Sequence, residues 1–164
     1  CRWQSSSVIW HSSGKRGVML KMEIKSDVYQ LIIKQQPQLP PETGGILGGD
    51  GAAIFAFEPD EGLPCRKMCS YAPDVQHLNR VIREWECSGI EFMGIYHTHF
   101  HNVCTLSQGD KKYIESILLN MPPHIKKLFF PLVVMPERKM ICYYARTESG
   151  KVIIEQEPIT IIHN

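Results

Sequence analysis

Three of the seven histidines in this 164-residue chain, His97, His99 and His101, fall within five residues of one another. Their window closes the apolar run Phe92 to His99, which reads as a buried strand. On a strand, alternate side chains share a face about 6.7 Å apart along the chain, so His97 and His99 can lean their imidazoles onto one ion about 2 Å from each nitrogen. Thr98 would point the other way. A polar stripe at a sheet edge would produce the same pair, so His-x-His by itself leaves metal binding and a solvated edge both open.

Downstream, Ser107-Gln108-Gly109-Asp110 precedes an apolar helical run. Ser-x-x-Asp in that place resembles a capping box, with Ser107 accepting from a first-turn N–H and Asp110 stabilising the positive helix end. An aspartate at a helix start that faces a strand end can also give a carboxylate oxygen to an ion held there by two imidazoles. Two histidines and one carboxylate leave a fourth position open, the composition of a catalytic zinc site rather than a closed structural one. Hydrolysis at such a site needs a base for the metal-bound water, and Glu42 is the candidate. Glu42 stands before Thr43-Gly44-Gly45-Ile46-Leu47-Gly48-Gly49, a strand so rich in glycine that another backbone or a substrate could approach it closely.

The elements that must position these groups begin at Met22. A short strand, Met22 to Lys25, leads into a helix from Asp27 to Gln36 with Ser26 as its N-cap. Strands at Gly44 to Gly48 and Ala52 to Phe57 flank the turn signal Gly49-Asp50-Gly51. A third strand is expected near Arg66 to Tyr71. From Asp74 to Glu86, Val75, Leu78, Val81, Ile82 and Trp85 mark one helix face, ended by Gly89. A helix from Gln108 to Asn120 is stopped by Pro122 and Pro123, and strands follow at Leu128 to Met135, Met140 to Ala145 and Lys151 to Glu155, with Ile159 to Ile162 extending the last. Strands and helices mix without strict alternation, so the expectation is a mixed or largely antiparallel sheet with helices packed on it.

Composition narrows the function classes. With 43% hydrophobic residues, 21% charged residues and a net charge of +1, the chain can build one core and carries no global footprint of a nucleic-acid binder. The longest nearly apolar runs, such as Leu128 to Pro136, fall short of the ~20 residues a bilayer crossing needs. Six cysteines, at positions 1, 65, 69, 87, 104 and 142, lack paired metal or redox spacings and read as mostly free thiols, which favours a reducing cytoplasm. The Ser-rich stretch before Met22 carries no pattern, so 1–21 is expected to be a disordered or non-native extension and 22–164 a single domain.

Taken together, Glu42, His97-Thr98-His99, seven residues, then Ser107-Gln108-Gly109-Asp110 resemble the JAMM motif (Glu, His-x-His, x7, Ser-x-x-Asp) of the MPN-type zinc metalloproteases. Glu-Thr-Gly-Gly-Ile-Leu-Gly-Gly and Gly94-Ile95-Tyr96-His97-Thr98-His99 are similar to that family too, and the resemblance runs from Met22 to about Glu155, best matching its small prokaryotic-type members. It implies an α+β (α/β mixed) fold, a curved mixed β-sheet flanked by helices, the MPN/JAMM (cytidine-deaminase-like) architecture. It implies zinc on His97, His99 and Asp110 with water as fourth ligand, Glu42 deprotonating that water, and Ser107 donating to the oxyanion formed at the attacked carbonyl. The implied activity is hydrolysis of a peptide or isopeptide bond, with the C-terminal tail of a ubiquitin-like or sulfur-carrier protein as a candidate substrate that could add as an extended strand beside the glycine-rich edge; charge and the short apolar runs, rather than the resemblance, argue against a nucleic-acid or membrane partner.

Two departures stand out. The family often has proline where this chain has Phe100 and Leu106, which predicts a loop of different shape or greater mobility. His101 and Cys104 lie outside the motif, either as exposed loop residues or as an extra metal site. Other catalytic templates find no match: there is no Gly-x-Ser-x-Gly elbow, no His-Glu-x-x-His helix and no Walker A lysine, and nothing local marks Cys87 or Cys104 as an activated thiol. The rival of another class is a non-catalytic MPN scaffold or partner-binding module, since folds of this kind can serve without chemistry.

Overall fold

The structure, a computed structural model, describes residues 21–63, 71–125 and 127–163. Apart from Lys21, the expected N-terminal extension lies outside these residues, as does the expected strand at Arg66 to Tyr71 apart from Tyr71 itself. Along the chain run β1 (Met22–Lys25), α1 (Ser26–Gln35), β2 (Gly44–Gly49), β3 (Ala53–Asp60), α2 (Val75–Cys87) and β4 (Glu91–His99). They are followed by α3 (Gln108–Asn120), β5 (Lys127–Val134), β6 (Lys139–Glu148), β7 (Lys151–Glu157) and β8 (Ile159–Ile162).

The strands form one mixed sheet in the order β7-β6-β5-β4-β2-β3-β1-β8. β4 and β5 are parallel, as are β1 with β3 and β1 with β8; the remaining pairs are antiparallel. Ile159 to Ile162 does not extend β7, as the sequence suggested. Pro158 ends β7, and the following residues pair with β1 at the opposite edge of the sheet. Only one residue separates the two edge strands, so the sheet must curl until its edges approach. Cys142 of β6 accordingly meets Met22 of β1, sulfur to sulfur, at 3.4 Å.

Helices cover both faces. Val28 and Ile32 of α1 pack with Leu47, Ile54, Tyr96 and Val133. On the other face Leu78, Val81 and Ile82 of α2, with Ile114 and Leu118 of α3, pack with Ile46, Ile95, Phe130 and Leu132. Two helix starts differ from the sequence reading. Ser26 is the first helical residue, behind Lys25, and gives no side-chain cap, whereas Asp74 lies outside α2 as its N-cap and accepts from His77 N–H. The hairpin turn forms as read: Asp50 Oδ1 accepts from Ala52 and Ala53 N–H, and Gly51 takes φ +83°.

The alternation of β4 is interrupted once. Leu47 pairs with Gly94 but Gly48 pairs with Phe92, so Met93 is an extra residue and forms a bulge. Beyond it Ile95 faces α2 and α3 and Tyr96 faces α1. The same alternation turns His97 and His99 toward the start of α3.

Candidate metal centre

His97 and His99 are buried at the C-terminal end of β4, their Nε2 atoms 3.0 Å apart. Asp110 stands in the first turn of α3, with Oδ1 3.4 Å from His97 Nε2 and Oδ2 3.3 Å from His99 Nε2. The capping box expected at the start of α3 is present in full: Ser107 Oγ accepts from Asp110 N–H at 3.1 Å, and Asp110 Oδ2 accepts from Ser107 N–H at 2.6 Å. The cap thus fixes the rotation of the Asp110 carboxylate toward the strand end. A hydroxyl has two acceptor positions and one donor, so capping leaves the Ser107 O–H to donate elsewhere.

One ligand atom from each of His97, His99 and Asp110 lies within 4.8 Å of the others, and among the described residues this is the group of three that could hold a metal ion. Bonds of about 2.0–2.1 Å to a tetrahedral ion put its ligands roughly 3.3 Å apart, close to the spacings seen here. The donor set fits a divalent cation of zinc's preferences. His101 and Cys104 do not join such a group. His101 is exposed with φ +56°, and Cys104 is an exposed free thiol that donates to Asn102 O.

Glu42 reaches the site through sheet register, a non-local feature that spacing along the chain does not reveal. Gly44 pairs with His97, and one step on Thr98 Oγ1 accepts from Thr43 N–H at 2.9 Å while Thr98 N–H donates to Thr43 O at 2.8 Å. That clip sets Glu42 beside the end of β4. A cleft of about 240 Å³ is lined by Glu42, Tyr71, His99, Ser107 and Asp110 among others. β2 itself is paired on both sides, by β3 and β4. Its backbone is therefore closed to an added strand, contrary to the expectation of a glycine-rich edge. The space left by its glycines is filled from within: a Cβ at Gly44 would lie 2.4 Å from Tyr96 O and 2.6 Å from the Tyr71 ring.

The loop joining β4 to α3 is anchored at Phe100 and Leu106. Phe100 and Leu106 are buried in the cores on opposite faces of the sheet, and between them Asn102 N–H donates to Met135 O and the Tyr143 hydroxyl to Cys104 O.

Electrostatics sort the titratable groups. Burial, which opposes charge on the imidazole, holds His97 below the ordinary histidine value even against the neighbouring Asp110. His99 is also desolvated, but the hydrogen bond and charge of Asp110, with the charge of Glu42, outweigh this and raise it. Burial works to raise Asp110, yet hydrogen bonds from His97 and His99 hold it well below the usual carboxylate range. Glu42 is raised: burial dominates, His99 opposes it, Asp110 adds to it, and the Tyr71 N–H opposes it. A lowered His97 and an ionised Asp110 suit ligation and a raised Glu42 suits proton transfer, whereas His99, raised by its acidic neighbours, would release its proton on taking a cation.

The sequence reading did not find Tyr71, which carries no local signal yet touches the site at several points. Its ring lies parallel to that of His97, and its N–H donates to Glu42.

No protein-family model matches the chain, and no curated protein matches it by sequence. Among solved structures, it is similar to a Desulfitobacterium hafniense protein known from its solution structure, with a TM-score of 0.64 and 17% identity over 87% of this chain and 94% of that one. A JAB1/MPN domain protein from Archaeoglobus fulgidus aligns over 85% of this chain and 98% of its own, with a TM-score of 0.48 and 17% identity. The first likeness shows a shared fold; at these identities neither speaks to activity. No helix among the described residues is long and apolar enough to cross a membrane.

Proposed function

We propose that this chain is a zinc-dependent hydrolase of peptide or isopeptide bonds, with residues 22–164 forming one domain of the MPN/JAMM (cytidine-deaminase-like) architecture. The observation that carries this reading is the convergence of His97 Nε2, His99 Nε2 and the Asp110 carboxylate beside a cleft lined by Glu42 and Ser107. His97, His99 and Asp110 would hold the ion. When bound, zinc would supply Lewis acidity toward a carbonyl and toward water.

The chain's own groups supply the rest. Glu42 takes a proton from the attacking water and delivers it to the nitrogen of the departing amine as the carbon–nitrogen bond breaks. The Ser107 hydroxyl, its acceptor side occupied by the helix cap, donates to the oxygen that gains charge at the attacked carbonyl. No side chain need form a covalent bond to substrate. The proposed substrate is a protein or peptide, with the C-terminal tail of a ubiquitin-like or sulfur-carrier protein as the leading class. A reducing compartment such as the cytoplasm is proposed from the cysteine spacings, and among the described residues Cys87, Cys104 and Cys142 are free thiols.

The test pairs metal analysis with cleavage. Protein purified without added zinc should carry about one equivalent, as a three-ligand site implies. Incubated with a panel of ubiquitin-like fusions, the wild type should cleave at least one, while Glu42→Gln should retain zinc and lose cleavage. If Glu42→Gln cleaves as fast as wild type, the assigned mechanism is wrong. A non-catalytic scaffold would instead carry much less than one equivalent and cleave nothing.

A further inference from the structure

Tyr71 forms part of the wall of two cavities. One is the cleft with Glu42, His99 and Ser107; the other, of about 170 Å³, is lined by Ile95, His97, Tyr113 and Phe130 with Tyr71 and Asp110. Each part of Tyr71 has a fixed partner. Its backbone N–H donates to Glu42 Oε2 at 3.2 Å. Its ring stacks on His97, with centroids 6.4 Å apart and planes 11° from parallel. Its hydroxyl donates to Asp60 Oδ2 at 2.7 Å.

Asp60, the last residue of β3, is 8% exposed and tied to backbone at both ends of the segment that carries Tyr71. Its Oδ1 accepts from Gly62 N–H at 3.0 Å and its Oδ2 from Asp74 N–H at 2.9 Å. The phenol ring also occupies space that side chains would deny it. A Cβ at Gly44 would come within 2.6 Å of the ring, and one at Gly62 within 3.3 Å. A buried carboxylate spent wholly on backbone and a phenol, with glycines making room for the ring, fixes one thing near the cleft: the position of the Tyr71 amide.

We propose that the Asp60–Tyr71 pair is a positioning device for Glu42. Asp60 holds the phenol, the held ring fixes the backbone of Tyr71, and the Tyr71 N–H restricts the Glu42 carboxylate to one rotation. The proposal rests on Glu42 being the proton acceptor, whose geometry must be held to within about 0.5 Å for efficient transfer. Neither Asp60 nor Tyr71 exchanges a proton with substrate.

The experiment uses the full chain carrying one equivalent of zinc and two mild variants, Tyr71→Phe and Asp60→Asn. Amide hydrogen exchange at position 71, resolved by NMR, reads the positioning without any substrate. It should quicken by about 10-fold in both variants, the factor expected for loss of a charge-assisted restraint. It should quicken likewise in Glu42→Ala, which removes the acceptor. With the fusion that the wild type cleaves, kcat should fall by about the same factor while KM and zinc content stay within about two-fold. In a Glu42→Gln background, Tyr71→Phe should cost nothing further.

Unchanged exchange and unchanged kcat overturn the proposal. So does a rise in KM alone, which would make Tyr71 a substrate contact, or a loss of zinc, which would route its effect through His97. If Asp60→Asn does not fold, Tyr71→Phe decides alone. Should no fusion be cleaved by wild type, the hydrolytic reading fails on its own, while the exchange at position 71 still reports whether Asp60 and Tyr71 hold Glu42.

Discussion

The end of β4 offers two faces built from neighbouring residues. On the face toward α1, Thr98 spends its hydroxyl and its N–H on Thr43, so that each polar group has a partner within the sheet. On the other face, His97 and His99 aim ring nitrogens at one another and at Asp110, a grouping whose ligand atoms lie close enough together to share one ion. The contrast separates two kinds of polarity: one set of groups is closed by backbone partners within the sheet, the other is a cluster of side chains that could hold a metal ion. The two faces are coupled, since the Thr98 clip is what brings Glu42 alongside the histidines.

The comparison breaks most severely at a ligand. His99→Ala should weaken zinc binding by more than about 100-fold, because outer-shell partners alone are worth about 10–100-fold. Cleavage should vanish with the metal and, in the wild type, should be lost on chelation and restored by added zinc. Competition against a chromophoric chelator measures the affinity. A variant within ten-fold of wild type would show that the gathered nitrogens are not a metal site.

Glu42→Gln probes the same face without touching a ligand. Removing a general base costs about 10²–10⁴-fold in rate. The expected result is that loss in kcat with zinc affinity unchanged, separating the acid–base group from the ion's holders.

Ser107 caps α3 and, in the proposed function, also donates to the substrate oxygen, and two substitutions divide these roles. Ser107→Ala should lower stability by about 1 kcal/mol through loss of the cap, whereas glycine at an N-cap costs only a few tenths. Both remove the hydroxyl, and loss of an oxyanion donor costs about 10²–10³-fold in kcat. Ser107→Ala and Ser107→Gly should therefore share one activity defect and differ in urea midpoint. Different activities that track stability would leave Ser107 as a cap only.

How much of this was legible in the sequence follows from the range of the interactions involved. The bounds of α3 and its capping box are local, set by residues three apart, and the structure reproduces Gln108 to Asn120 as expected. The His97 and His99 pair follows from the two-residue period of a strand, and the grouping with Asp110 from a helix start reached by a short loop. What was not legible is non-local. The placement of β8 beside β1, rather than after β7, depends on how far the whole sheet curls. The closure of β2 on both sides depends on which strands flank it, information that its glycines do not carry. Asp60 and Tyr71 lie eleven residues apart, and no local pattern in the sequence signals the hydrogen bond that joins them.

The smallest expected effect on metal binding and activity comes from the closed face. Thr98→Val keeps the shape of the side chain while removing the acceptor of Thr43 N–H and the donor to Thr43 O. An amide left without its partner in a largely buried setting costs about 1–3 kcal/mol. The urea midpoint should drop accordingly with the m-value unchanged, the sign of a stability effect without a change in the unfolding transition. Zinc affinity should stay within about three-fold, since valine leaves the backbone pairing of β2 with β4 and the directions of His97 and His99 as they are. Activity should decline more than affinity, because the clip serves Glu42 rather than the ligands. If Thr98→Val lost zinc as readily as His99→Ala does, the division between the two faces would not hold, and the strand end would have to be treated as one cooperative unit.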